Sequence, residues 1–176
     1  STSLVDILNI LKYKSSVFVL HSNRVSGIVT RGDLQKTPVR MWLFGIITLV
    51  EMNMLRLTRH YYSEESIIVC LEKTSLRLEG CLDLFCKRLE RNEAVDLADC
   101  LQFCDKRDLI LKKPELLKSL SVFGLKKYLE TLLKRAEKLR DKLAHGQDIV
   151  LGTTWPEVIE LTEKVEKLLE LLEKVE

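Results

Sequence analysis

A long leucine stripe near the end of the chain is the feature that most restricts how it folds. Between residues 125 and 143 the apolar side chains recur at spacings of four, three, four, three and four residues, the period of one α-helical face. A second stripe, with strict heptad alternation, follows between residues 158 and 175. Helices that bury one face need partners, so the sequence predicts a mainly α fold built as a helical bundle. The stripe residues are Leu125, Leu129, Leu132, Ala136, Leu139 and Leu143, then Val158, Leu161, Val165, Leu168, Leu172 and Val175.

The second stripe belongs to a helix whose start can be predicted. Thr154 and Glu157 form a capping-box pattern, and Pro156 falls inside the first turn. The heptad pattern is typical of a coiled-coil seam. We expect this seam to pack against its own bundle, and a contact between two copies of the chain is the alternative.

The first 37 residues predict a small α-β-β module ahead of the bundle. Residues 1–9 form a short amphipathic helical pattern, and two β-branched, apolar runs at residues 16–20 and 25–30 flank a turn at Asn23. An isolated hairpin is marginally stable in water, so we expect a helix to cover it.

A long helix connects this module to the bundle. Pro38 suits the first helical position, with Thr37 as the N-cap, and the helix is predicted over residues 38–61. We therefore divide the chain into residues 1–37 and 38–176, with the long helix shared between them.

Three further helices are predicted between the long helix and the leucine stripe. The first covers residues 63–91, the second begins at residue 92 or 93, and the third runs from Pro114 to just before Gly124.

The total charge does not identify a nucleic-acid-binding protein, because the 176 residues carry a formal net charge of only +2. Residues 126–142 are locally basic, however, with seven lysines and arginines. Such a helical surface is most often a solvated face, so an RNA-binding role for it depends on a neighbouring motif.

The five cysteines lack the paired CxxC spacing of a zinc site, which favours buried thiols. There is no signal-peptide pattern, and no stretch of about 18 uninterrupted apolar residues. We therefore expect a cytoplasmic protein without a membrane partner, in which the apolar run at residues 42–50 is a buried helix. Because no initiator Met precedes Ser1, we also expect a truncated form of a longer protein or a natural remnant.

An arginine and a histidine stand five residues apart in the segment RDKLAHG, which runs from Arg140 to Gly146. An imidazole moves protons near neutral pH, and a guanidinium can hold a phosphate through two parallel hydrogen bonds. Five residues turn an ideal helix by about 140° from the starting face, so these side chains converge only if the helix ends there. Gly146 suits a left-handed cap and would leave His145 at the rim of a cleft. Asp141 could orient either group.

The segment RDKLAHG resembles the motif of the HEPN superfamily, in which an arginine and a polar residue precede a histidine about four to six residues after the arginine. The resemblance covers roughly residues 40–176. It implies an antiparallel helical bundle, a homodimer with a composite active site, and metal-independent cleavage of RNA with no required cofactor. One subclass carries a tyrosine two residues after the histidine. Gln147 occupies that place here, so the modification tied to that tyrosine is not implied.

This resemblance assigns a role to each residue of the motif. His145 would be general base or acid, Arg140 would neutralise charge on the phosphate, and Asp141 would orient them. The candidate contacts to the RNA backbone are Lys134, Lys138 and Lys142.

Two orientations follow from the helical patterns. The leucine stripe predicts that Arg140 and the basic residues of its helix point away from the bundle core. Glu51 is the one acid between Met41 and Leu57. A carboxylate there could support a buried active-site arginine, although we expect an exposed position for it.

The segment VSGIVTRGDL, at residues 25–34, resembles the second half of a CBS motif. Gly27, Thr30 and Asp33 match the glycine, hydroxyl and aspartate of that family, which implies contacts to the phosphate and ribose of an adenosine nucleotide acting as an effector. A CBS motif begins with an earlier strand and works in pairs, whereas this chain supplies about the last half of one. The alternative is a hairpin that only packs on a helix.

Two functions other than catalysis are also consistent with the sequence. One is a CBS-linked regulatory module whose bundle only dimerises, with Arg140 and His145 paired to a carboxylate in the core. The other is an RNA-binding scaffold whose cleft is blocked by a partner such as an antitoxin or inhibitor protein.

Overall fold

The computed structural model describes residues 2–72 and 75–175, and the fold is mainly α with a small two-stranded antiparallel sheet near the N-terminus. This confirms the predicted fold class. The α-helices of the described residues are α1 (Leu4–Tyr13), α2 (Thr37–Tyr61), α3 (Glu64–Leu71), α4 (Ser75–Glu90), α5 (Phe103–Ile110), α6 (Pro114–Ser119), α7 (Lys126–Ala144) and α8 (Trp155–Glu173). The strands are β1 (Ser16–His21) and β2 (Arg24–Thr30), and short 3₁₀ helices span Arg31–Gln35, Leu97–Cys100 and Ser121–Phe123.

The main hydrophobic core lies between α2 and the helices α5, α7 and α8, which all pack against it. Both predicted stripes are buried there with two exceptions: Val175 is half-buried, and Leu125 is 81% exposed because it precedes the first turn of α7 as the N-cap residue. The seam of α8 therefore packs against its own bundle, as expected.

Capping explains where α8 begins. The Glu157 carboxylate accepts hydrogen bonds from the backbone N–H and the hydroxyl of Thr154, both at 2.8 Å. These bonds confirm the predicted capping box, and together with a bond from Thr153 they lower the pKa of Glu157. The predicted N-cap of α2 is wrong by one residue, because Thr37 is already helical and Lys36 is the N-cap.

The N-terminal module packs onto α8 through α1. The strands pair on either side of a turn in which Asn23 has a φ of 57°, as predicted. Leu8 and Leu11 of α1 are buried with Leu34 and with Ile159 of α8. The 3₁₀ helix after β2 leads directly into α2, so the hairpin and the bundle are joined by packing as well as by the chain.

The prediction of one helix over residues 63–91 is wrong. α3 ends at Leu71 and α4 begins at Ser75, and residues 73–74 lie outside the described part of the chain. Ile67 and Leu71 share a second core cluster with Cys81 of α4. Both helices bury apolar side chains in this cluster.

The start predicted for the next helix is also wrong, because Asn92 caps the end of α4, whose last helical residue is Glu90. Asn92 has a φ of 57°, and the Glu93 N–H donates to the Arg88 carbonyl at 3.1 Å. Asparagine tolerates this left-handed cap. The next α-helix, α5, begins only at Phe103.

The expectation of buried thiols holds only in part. Cys81 and Cys100 are buried, Cys70 and Cys104 are half-buried, and Cys86 is exposed. Burial raises the pKa of Cys81 to about 11, so this thiol is protonated at neutral pH.

Among the described residues, α2 is the one helix that is long and apolar enough to cross a membrane by length and composition. A core helix of a soluble protein meets the same criteria. Here α2 is the central helix of the main core.

Candidate functional site

The end of α7 places His145 on an exposed turn. The Gln147 N–H donates to the Lys142 carbonyl at 2.9 Å and the Gly146 N–H to the Leu143 carbonyl at 3.4 Å, which together form a Schellman cap. Gly146 has a φ of 67°, as predicted for a left-handed cap. His145 is the C-cap residue and is exposed, and no hydrogen bond joins its imidazole to the parts of the chain that the structure describes.

Arg140 is anchored to α2 by a shared carboxylate. Its Nη1 donates to Glu51 Oε2 at 2.9 Å, and the Lys106 ammonium donates to Glu51 Oε1 at 2.8 Å. Lys106 belongs to α5, and its side chain is only 8% exposed. Glu51 therefore joins cations from two other helices, and the expectation that it would be exposed is wrong.

Arg140 does not point away from the core. It lies four residues after Ala136, so it shares the edge of the leucine stripe. Its guanidinium carbon lies 5.5 Å from the ring centroid of Phe103 on α5, and its side chain is 27% exposed. The prediction from the stripe failed because the ion pair with Glu51 allows a cation at the margin of the core.

Asp141 orients Arg140 from the solvent side. Its Oδ1 accepts from Arg140 Nη2 at 3.0 Å and from Nε at 3.3 Å. Burial opposes the charge on Arg140, but the hydrogen bonds to Asp141 and Glu51 outweigh it and raise the arginine pKa. Of the five N–H groups, one on each terminal nitrogen is left without a partner among the described residues. The arrangement can offer these two donors to an oxyanion.

A second ion pair extends this polar layer. Arg107, the neighbour of Lys106 on α5, donates to Glu137 of α7 at 2.6 Å. Burial raises the pKa of Glu137 despite this partner. α5 thus directs adjacent cations towards α2 and α7, and Glu137 lies about one turn before Arg140 on α7.

No protein-family model, curated protein or solved structure matches this chain. The resemblances therefore rest on the motif residues themselves.

The candidate RNA-contacting lysines lie on a different side of α7 from Arg140. Two residues along a helix correspond to a rotation of about 200°, so Lys138 and Lys142 face away from Arg140. With Arg135 they line a cleft of about 410 Å³ between α7, the following loop and the start of α8. Lys134 lies outside this cleft, paired with Glu130 at 2.6 Å.

The candidate nucleotide residues are only partly brought together. The Asp33 carboxylate accepts from the Thr30 N–H at 2.7 Å, from the Thr30 hydroxyl at 2.8 Å and from Lys36. The salt bridge with Lys36 and these bonds lower the pKa of Asp33 to about 2. Gly27 is on an exposed part of β2, opposite Val19. Thr30 and Asp33 therefore close the turn into the 3₁₀ helix in this structure.

Sequence analysis missed three residues around the site. Lys106 gave no signal, because a lysine in a short helix is ordinarily exposed. Gln35 gave none either. Arg40 did carry a signal in the sequence that could have identified it. It lies close to the positive end of the dipole of α2, where cations are disfavoured, and the first turn of α2 has no acid to pair with it.

No group of three His, Cys, Asp or Glu side chains within residues 2–72 and 75–175 is placed to hold a metal ion. That the cleavage of RNA implied by the HEPN resemblance needs no cofactor stays a prediction.

Proposed function

We propose that this protein is a metal-independent endoribonuclease of the HEPN type. One observation carries the proposal: a histidine on an exposed turn follows, by five residues, an arginine that is anchored by Glu51 and keeps two N–H donors available. These are the proton-transfer group and the phosphate-binding group that the reaction requires.

In the proposed reaction the ribose 2′-hydroxyl attacks the adjacent phosphorus. The bond from phosphorus to O2′ forms, and the bond from phosphorus to O5′ breaks. His145 removes the 2′ proton as general base, and a protonated His145 from a second copy donates a proton to O5′. Arg140 stabilises the charge on the nonbridging oxygens. The products are a 2′,3′-cyclic phosphate and a 5′-hydroxyl.

The second copy is expected to dock beside the motif. Met41, Phe44, Leu49 and Met52 form an exposed apolar stripe on α2. Monomeric proteins rarely leave large apolar patches uncovered. Met41 and Phe44 also line a cavity of about 320 Å³ together with Leu143 and Ala144, which directly precede His145. A homodimer through this stripe would bring two motifs close to one interface.

The cleft of Arg135, Lys138 and Lys142 supports a role in RNA binding. Arg135 donates to the Glu157 carbonyl at 3.2 Å, and Lys142 donates to the loop carbonyls of Ile149 and Leu151. Glu157, the one acid in the lining, is held by Thr153 and Thr154.

We predict that Lys138→Ala weakens RNA binding at low salt. The logarithm of the RNA-binding constant falls with the logarithm of the salt concentration, and Lys138→Ala should make this slope less steep by about 0.7, the value for one phosphate contact of a single strand. Lys134→Ala alone should reduce the slope by a similar amount. Fluorescence anisotropy with a labelled RNA and the His145→Ala protein measures this without cleavage. Lys118→Ala, an exposed lysine on α6, is the matched control. Equal slopes for the Lys134, Lys138 and Lys118 variants would exclude Lys134 and Lys138 as contacts to the RNA.

The proposed activity is tested by incubating the wild-type protein with a labelled RNA pool in EDTA. Cleavage that leaves cyclic phosphates is expected, and a matched 2′-deoxy substrate should remain intact because it lacks the nucleophile. Failure to cleave the RNA pool by a folded, dimeric protein would overturn the proposal.

One observation favours a second function. Arg140 is paired with the Glu51 carboxylate, which is half of what the regulatory-module alternative requires, whereas His145 is exposed and has no such partner among the described residues. Under that alternative the bundle only dimerises, and an adenosine nucleotide at Thr30 and Asp33 is the effector. In the separate scaffold alternative, the bundle binds RNA without cleaving it, because a partner such as an inhibitor protein blocks its cleft. Calorimetric titration of ATP and AMP tests the effector, and the absence of binding heat would remove it.

A further inference from the structure

Arg40 ties the start of α2 to the turn that carries His145. Its Nη2 donates to the carbonyl oxygens of Lys142 at 3.2 Å and Leu143 at 3.3 Å. Its Nη1 donates to the Gln147 carbonyl at 2.8 Å. These acceptors lie on both sides of His145 in the sequence, so one guanidinium holds both ends of the turn.

Gln35 adds a contact from the N-terminal module. Its side-chain oxygen accepts from the Ile149 N–H and from Arg40, both at 3.3 Å, and its amide nitrogen donates to the Asp148 carboxylate. Gln35 is the last residue of the 3₁₀ helix that follows the hairpin. Gln35 therefore links the 3₁₀ helix after the hairpin to the turn after α7.

The charge of Arg40 is favourable at the end of α7 and unfavourable at the start of its own helix. The last carbonyls of a helix lack intrahelical partners and carry partial negative charge, so a cation is favourable there. Near the start of its own helix the same cation is unfavourable, and α2 offers it no acid in the first turn. The benefit of Arg40 lies at the end of α7.

We infer that Arg40 is a positioning residue for His145 and that, with Gln35, it makes the geometry of the candidate site depend on the N-terminal module. A movement of the 3₁₀ helix that separates Gln35 from residues 148 and 149 would loosen the turn and misplace the imidazole. The effect on cleavage rests on the proposed function, whereas the ordering of the turn does not.

The chain contains a matched control for this inference. Arg56, near the other end of α2, donates to the Leu172 carbonyl at 2.7 Å at the end of α8. Arg40→Ala and Arg56→Ala therefore remove the same kind of contact from the same helix. Only the first contact lies beside His145.

The test combines NMR and kinetics on the whole chain. In Arg40→Ala, amide exchange at Gln147 and Ile149 should be at least about tenfold faster, the His145 ring resonances should shift, and kcat should fall about 10- to 100-fold with little change in KM. Gln35→Ala should shift the same resonances in the same direction. Arg40→Lys should not restore the wild-type values, because an ammonium cannot serve three carbonyls with a planar fork.

Two results would overturn the inference. One is that Arg40→Ala and Arg56→Ala leave the His145 resonances and the exchange at Gln147 and Ile149 equally unchanged. The other is full recovery in Arg40→Lys, which would mean that charge alone matters. If the wild type cleaves no RNA, the proposed function fails, and the NMR measurements still test the positioning role.

Discussion

His145→Ala is expected to lower kcat for RNA cleavage about 10²- to 10⁴-fold, because the protein then lacks the group that moves the 2′ proton. Arg140→Ala should lower kcat about 10²- to 10³-fold by removing donors to the charged phosphate. Both groups act most strongly in the transition state, so KM should change less than kcat. Initial rates on a labelled RNA in EDTA measure these effects.

Two variants serve as controls for this prediction. His21→Ala removes an exposed histidine at the hairpin turn and should leave the rate unchanged. Arg140→Lys keeps a cation next to Glu51 but loses the planar guanidinium that can hold a phosphate through two hydrogen bonds. A folded Arg140→Lys protein with a low rate would therefore assign the effect to phosphate binding and not to the loss of the ion pair. Wild-type rates in folded His145→Ala and Arg140→Ala proteins would exclude this site.

The composite nature of the site can be tested with the same proteins. Mixing the wild type with an excess of His145→Ala chains under conditions of subunit exchange should lower the rate per wild-type chain, because a mixed dimer holds one His145 where the proposed reaction uses two. An unchanged rate per wild-type chain would show that each chain acts with its own histidine alone.

Glu51→Ala is expected to lower the free energy of unfolding by about 3 kcal/mol, because it leaves the buried ammonium of Lys106 without its carboxylate. Glu51 is the one carboxylate paired with Lys106 among the described residues. Arg140 also loses this partner but keeps Asp141 and is more exposed, so its share of the loss is smaller. Urea unfolding measures the change, provided that the slope m stays constant.

A double-mutant cycle identifies the cause of this loss. Adding Lys106→Met to Glu51→Ala removes the unpaired buried charge and should recover most of the stability. Lys134→Ala breaks an exposed pair with Glu130 and should cost no more than about 0.5 kcal/mol. A loss below about 1 kcal/mol in Glu51→Ala would mean that the ion pair does not stabilise the buried lysine.

The elements that were predicted correctly are those specified by local patterns. The leucine stripe, the capping box at Thr154 and the glycine after His145 each act within a few residues, so the C-terminal end of α7 and the start of α8 could be read without knowledge of neighbouring helices. The errors in residues 63–103 arose where apolar residues suit a continuous helix but the second core cluster buries two short helices instead.

The candidate site also combines features that are local in the sequence with contacts between residues that are far apart in it. The sequence alone determined that Arg140 and His145 lie five residues apart and that the glycine directly after His145 ends the helix. Only the tertiary structure decided that Arg140 meets Glu51, 89 residues away, that Glu51 meets Lys106, 55 residues away, and that Arg40 holds the His145 turn. Contacts over such separations depend on how α2, α5 and α7 pack, and a buried ion pair can place a cation where the helical period alone predicts an exposed one.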